Sequence, residues 1–223
     1  MSLTSALLWI PESNPGDARE RARGTRSVVR SLPVAEAIHG AGLRTLLALS
    51  LAGQFGLALF EATFALFAKG MWKYGPGQVG ASFMVCGLVM SVAQLGVVSS
   101  FAKRVGAMPQ IATGFALVGV SLGALGLARG APAVLLTIAF LAFGVALISP
   151  NVATLISLRG GSATGAAFGA QSTANGLGQT SGTIVGGALF VWQMHAPFAI
   201  ASVLLLAIGG LVVWWERRST ARA

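Results

Sequence analysis

Leu46 to Phe67 is long enough and apolar enough to cross a membrane, though it carries one carboxylate, and five more runs of similar length follow it: Val79–Phe101, Pro109–Ala128, Pro132–Leu158, Gly165–Val191 and Pro197–Trp215. About 20 residues of α-helix span the hydrocarbon core. In that core every backbone N–H and C=O must be satisfied within the segment, so an isolated run of this kind has to be a helix. Six such runs predict an all-α integral membrane domain over residues 46–215. Charged residues make up only 9% of the 223 residues, against about a quarter in soluble domains.

The punctuation agrees with these spans. Pro76, Pro109, Pro132 and Pro197 fall at connections, where a missing N–H does no harm. Trp72, Trp192, Trp214 and Trp215 fall at span ends, where indoles favour the headgroup level. Glu216-Arg-Arg218 is expected to stop the sixth span, leaving residues 216–223 as a tail. Before the first span, residues 1–13 are apolar and closed by Pro11. They are too short to cross and lack a basic n-region, so they read as the end of a preceding transmembrane helix. Residues 14–45 carry Asp17, Arg19, Glu20, Arg21, Arg23, Arg26, Arg30 and Arg44 and read as a polar, basic linker.

The formal net charge of +9 does not point to nucleic acid, because the basic residues are short clusters between apolar runs and no hydrophilic domain holds them. They set orientation instead. Arg19, Arg21, Arg23, Arg26, Arg30, Arg44, Lys103, Arg104, Arg159, Arg217, Arg218 and Arg222 fall on one side, and only Lys69, Lys73 and Arg129 on the other. The positive-inside rule then puts the linker and both termini in the cytoplasm, with the protein in the inner (cytoplasmic) membrane.

Polar residues inside the spans are the candidate functional groups. Glu61 is an acid in the first span, where an ionised carboxylate costs about 2.5–3.5 kcal/mol on insertion scales. Gln54, two turns earlier, lies on nearly the same face. In the fourth span Pro150 removes a backbone donor and bends the helix, next to Asn151. Either this is a structural kink with Asn151 bonded to a neighbouring helix, or it is a flexing helix that lines a cavity. In the fifth span Gln171, Asn175 and Gln179 recur every four residues, for interhelical hydrogen bonds or a polar cavity. Gly165/Gly169, Gly178/Gly182 and Gly182/Gly186 are small-xxx-small pairs that allow close helix approach.

No feature supports an enzyme. His39 and His195 lie outside the spans and no metal-ligand spacing occurs. No nucleophile–base pair is evident. Ser162 in Gly-Gly-Ser-Ala-Thr-Gly lacks the ending of a phosphate loop. No cofactor is expected, and Cys86 alone can form no disulfide within the chain.

Several stretches, in order, resemble the C-terminal half of a major facilitator superfamily transporter, in the drug:proton antiporter branch that includes tetracycline-efflux-like proteins. They are Leu8-Trp-Ile-Pro-Glu-Ser13, Phe60-Glu-Ala-Thr-Phe-Ala-Leu-Phe67, Gly77-Gln-Val-Gly80, Arg104-Val-Gly106 and Ser149-Pro-Asn151 with Ser157. The fifth span adds Gly165 and Gly169 with Gln171-Ser172, Leu177-Gly-Gln179 and Gly186-Gly187. Two features depart from that pattern: Gly182-Thr183 stands where the family commonly has Gly-Pro, and no acid accompanies Lys103-Arg104.

The resemblance implies two inverted three-helix repeats, Leu46–Ala128 and Pro132–Trp215, forming half of a twelve-helix fold. It implies a central cavity faced by the helices carrying Glu61 and Asn151. Glu61, Gln54, Asn151, Gln171 and Asn175 would then line a path for protons and a small amphipathic substrate, in proton-coupled efflux by alternating access. The expected partners are the bilayer, the substrate and protons, and a second six-helix half, either a separate chain or another copy. The competing expectation is a truncated, non-transporting membrane protein or a half-transporter subunit that needs a partner chain.

Overall fold

The computed structural model describes residues 41–97, 105–160 and 164–220. The span remnant, the linker up to residue 40, the end of the second apolar run and the Lys103-Arg104 loop lie outside the described residues. All regular structure among the described residues is helical. The helices are α1 (Ala41–Trp72), α2 (Pro76–Val92), α3 (Ala107–Leu125), α4 (Ala131–Gly160), α5 (Thr164–Trp192) and α6 (Ala196–Thr220). A short π-helical segment, Ala93–Val97, continues α2.

Each helix covers its apolar run, and the ends follow local chemistry. α1 stops where Lys73 adopts φ 57°, and the Tyr74 N–H reaches back to the Ala68 carbonyl at 3.2 Å. It reaches one residue further back than the six-to-one bond of a Schellman cap, and like that bond it satisfies a carbonyl of the last turns beside a left-handed residue. The Trp72 indole N–H donates to the Ala128 carbonyl at 3.1 Å, tying this end to the α3–α4 connection. α2 opens on Pro76, with the Gln78 side chain accepting the Gly75 N–H at 2.8 Å. α4 runs without a break through Pro150. α6 continues through Glu216-Arg-Arg218 to Thr220. Those charges therefore end the hydrocarbon-compatible stretch and not the helix, because the backbone bonds persist in water once a helix is nucleated.

Five helices are long and apolar enough to cross a membrane: α1 from Gly42, α2 with its extension to Leu95, α3, α4, and α6 to Arg218. The fifth helix, expected from its length as a span like the others, is the exception. α5 is 29 residues long, but its Gly, Ser, Thr, Asn and Gln content dilutes its apolar character.

Helix pairs recur in a two-fold pattern. α1 packs on α5 and α4 on α2; α3 packs on α4 and α6 on α1; α3 meets α6, and α1 meets α4. Exchanging the first three helices for the last three maps these pairs onto one another, whereas the further packings of α4 on α5, α5 on α6 and α1 on α3 fall outside that pattern. Between membrane helices, close packing replaces the hydrophobic drive, and glycine sets the distance. Gly114 of α3 and Gly144 of α4 oppose each other so closely that a Cβ on either would come within 2.8 Å of the other's carbonyl oxygen. Gly178, Gly182 and Gly186 of α5 lie against Leu51, Phe55 and Leu59 of α1, a four-residue register on both helices. A Cβ at Gly178 or Gly182 would overlap the carbonyl oxygen of Leu51 or Phe55 respectively. Gly165 and Gly169, with the same spacing, face no helix among the described residues.

The core is aromatic at the far end of α1. Phe67 packs on Phe198 with centroids 4.7 Å apart and edge-on to His195 at 5.2 Å. Phe64 meets Phe83 of α2 edge-on at 5.6 Å. Large apolar side chains such as Leu88, Val92, Leu136, Val203 and Leu211 point outward, as suits a lipid solvent.

Candidate functional site

Four positions on α1 share one stripe: Ser50, Gln54, Leu57 and Glu61 fall within roughly 60° of one another at 100° per residue. Ser50, Gln54 and Leu57, with Gly53, form one wall of a cleft of about 90 Å³. Met90 of α2 and Gln94 of its π-helical extension face them, with Val145, Ile148, Ser149 and Val152 of α4 and Asn175 of α5 completing the lining. The space holds a few waters but is below the roughly 300–1,000 Å³ of a small-molecule pocket.

A hydrogen-bonded chain stitches α1 to α5 along this cleft. The buried Ser50 hydroxyl donates to Asn175 Oδ1 at 2.7 Å, and Gln171 Nε2 donates to Ser50 Oγ at 3.3 Å. Gln171 and Asn175 are one turn apart, directly before the Gly178 crossing. The glycines let the backbones approach, and that approach brings a short serine within reach of both amides. Gln179 does not join them. A four-residue spacing drifts 40° per step around a helix, and by the third member the stripe has turned outward; Gln179 is exposed.

Asn151 lies elsewhere. It is buried, and its Nδ2 donates to Gln110 Oε1 of α3 at 2.9 Å and to the Leu147 carbonyl at 2.7 Å. Ser149 and Val152 face the cleft, while Asn151, roughly 160° from Ser149 and 100° from Val152 around the helix, faces α3. It thus serves the α3–α4 packing, with Gln110 as a partner that the sequence did not single out. Pro150 sits between the cleft-facing Ser149 and this pair.

Glu61 is exposed and makes no ion pair or hydrogen bond among the described residues. It continues the Ser50–Gln54–Leu57 stripe one turn beyond the cleft without lining it. No cluster of three or more His, Cys, Asp or Glu able to hold a metal exists among the described residues.

Sequence reasoning missed Ser50, Ser149 and Gln94. Ser50 had a signal: it precedes Gln54 by four and Glu61 by eleven residues, both helical repeats. Gln94 marks a π-helical segment, a deviation frequent at functional sites, but nothing in its sequence announces that deviation.

Outward, α5 presents Ser172, Thr173, Gln179, Thr180 and Thr183, together with Gly165, Gly169, Gly176 and Gly187. Thr173, Ser181 and Thr183 satisfy their hydroxyls on carbonyls of their own helix. The Gln179 amide has no such outlet.

The family model described as Major Facilitator Superfamily matches residues 1–178, most of the chain. The chain belongs to the major facilitator superfamily. Among this superfamily's curated members it is similar to multidrug resistance protein 2 of Bacillus subtilis, at 29% identity over 174 residues, which is 76% of this chain and 42% of that protein. It is similar to multidrug resistance protein 1 of the same organism at 31% identity over 176 residues, 78% of this chain and 44% of that protein. It is also similar to the quinolone resistance protein NorA of Staphylococcus aureus at 29% identity, covering 78% of this chain and 45% of that protein. The matched part of the chain thus spans under half the length of these superfamily relatives. Helical architecture and family together make this a multi-pass membrane protein of the major facilitator superfamily.

Proposed function

We propose that this chain forms the C-terminal six-helix half of a proton-coupled efflux transporter for small amphipathic compounds. The observation that carries the reading is the outward face of α5. A membrane helix with an exposed, unbonded glutamine and an open glycine stripe is ill suited to lipid, but suits the wall of a shared cavity. The cleft supports the same reading, since Ser50, Gln54, Gln94, Ser149 and Asn175 give it polar groups from α1, α2, α4 and α5, and it is too small to enclose a substrate without a second wall. A second six-helix half, a separate chain or another copy, supplies that wall. Multidrug and quinolone resistance in the relatives' names points to efflux of varied small molecules.

In this proposal Glu61 is the proton-responsive group. Protonation removes its charge, so the states in which it meets water and those in which it meets protein or lipid change their relative populations. Ser50, Gln54, Gln171 and Asn175 line the polar path beside it, and Asn151 holds the helix that carries Ser149. The orientation with both termini in the cytoplasm, in the inner membrane, belongs to the same proposal.

Everted membrane vesicles carrying the chain, alone and together with a six-span amino-terminal half, provide the test with a lipophilic cationic dye. Dye uptake that requires the partner, collapses when the proton gradient is dissipated and is lost in Glu61→Gln is the expected result. Uptake indifferent to the gradient, or unchanged by Glu61→Gln, would falsify the assigned coupling; no uptake with any partner would leave a non-transporting membrane protein as the better reading.

A further inference from the structure

α1 borders a second space on a different face from the cleft. Its Ala48, Leu49 and Ala52 face Ile208 and Trp214 of α6, with Met108 from the start of α3, around an apolar groove of about 360 Å³. The α1 residues of the two spaces are centred roughly 140° apart round the helix. Thr45 is the one hydroxyl in the lining. The groove follows about two turns of each long helix, or roughly 10 Å along the membrane normal.

We propose that this groove binds one acyl chain of an anionic phospholipid, whose phosphate lies on Arg44 and Arg218. A dry apolar groove between membrane helices has no polar partners to keep water, and left empty its walls lose dispersion contacts. A lipid tail is the apolar material at hand. The choice of headgroup comes from the groove's end. α1 begins and α6 ends on the same side of the membrane, so Arg44 and the pair Arg217-Arg218 lie at that end, where Glu216 is the one acid on these helix ends among the described residues. That end is net positive. The Arg218 guanidinium lies 3.8 Å above the Trp214 ring centroid, held at the mouth of the groove by a cation–π contact. Arg44 is exposed four residues before the groove-lining Ala48. Basic pockets between transmembrane helices recognise lipid phosphates in this way.

The test is native mass spectrometry of the full chain purified in detergent and exchanged with phosphatidylglycerol or phosphatidylcholine. Phosphatidylglycerol is expected to be retained in preference, at one molecule per chain. The paired change Arg44→Gln and Arg218→Gln is expected to weaken that retention by about thirtyfold, from about fivefold per arginine. Arg129→Gln, at the opposite end, leaves it unchanged. Ala48→Trp fills the groove and is expected to abolish retention, with Leu136→Trp on an outer face as its control. Equal retention of the two lipids by the unaltered chain would overturn the headgroup assignment. Full retention in Ala48→Trp would overturn the groove as the tail's place. If Ala48→Trp does not fold, the arginine pair against Arg129→Gln still decides.

Discussion

Replacing Gly182 by alanine adds one methyl group where the Phe55 carbonyl already stands. The carbonyl carbon and Cα of Phe55 are both 3.1 Å from the position of the new Cβ, whereas carbon atoms settle at about 3.5–4.0 Å. α5 must therefore retreat from α1 by roughly 0.4–0.9 Å. A radial gap of that size forfeits a quarter to a half of each contact well, and overpacking of one methylene typically costs about 1–3 kcal/mol. The neighbour cannot yield by rotating a side chain, since backbone is what it meets. Gly178→Ala presses on the Leu51 carbonyl in the same way and lies one turn from Asn175, so it also stretches the 2.7 Å Ser50–Asn175 bond. The double variant costs less than the sum, because a single separation relieves both overlaps. Gly80→Ala and Gly187→Ala are the controls: a Cβ at either meets nothing within 4 Å, and alanine is the better helix former by about 1 kcal/mol. Thermal unfolding of the purified chain, followed by loss of the monodisperse peak on heating, is expected to fall by several degrees for Gly178→Ala and Gly182→Ala. It stays level or rises for the controls. Equal midpoints for all four would refute the argument that glycine sets the α1–α5 distance.

Two other predictions concern packing. Asn151→Ala leaves Gln110 Oε1 buried without its donor, and Gln110 Nε2 already lacks a partner; the cost is about 1–3 kcal/mol. A cycle with Gln110→Leu should give a coupling near 0.6 kcal/mol, up to about 1.7, by the same thermal measurement, and additive effects would argue against the bond. Trp72→Phe keeps the edge-on ring contact with Phe67 but loses the N–H to Ala128. It should cost about 1 kcal/mol and raise protease cleavage in the connection at residues 126–130, with an unchanged cleavage rate counting against that tie.

Helix existence was legible because membrane length and the need to satisfy backbone polarity leave one solution per apolar run. Helix facing was not, because it is decided by neighbours. Gly165/Gly169 and Gly178/Gly182 have the same spacing, yet among the described residues only the second pair has a helix opposite. Asn151 and Gln171 are both amides in spans, yet one bonds across to Gln110 and the other reaches Ser50. Gln179 was grouped with Gln171 by a four-residue spacing that, after two steps, had drifted away from α1. The stripe from Gln54 to Glu61 was readable because seven residues nearly close two turns. That Glu61 stops short of the cleft depends on how α2, α4 and α5 pack around α1, and no local pattern carries that information. Glu216 likewise marked where hydrocarbon ends, but a helix does not end for that reason.

Because Leu49 and Ala52 border the apolar groove while Ser50 and Gly53 border the polar cleft, α1 is a party wall between two rooms. A displacement that widens one room narrows the other. Any molecule that prefers one position of this wall therefore biases what the other room accepts, and by thermodynamic reciprocity the bias runs equally in both directions. The lipid surroundings of the bundle and the contents of its polar cleft are in this sense two readings of the same coordinate, the sideways position of a single helix.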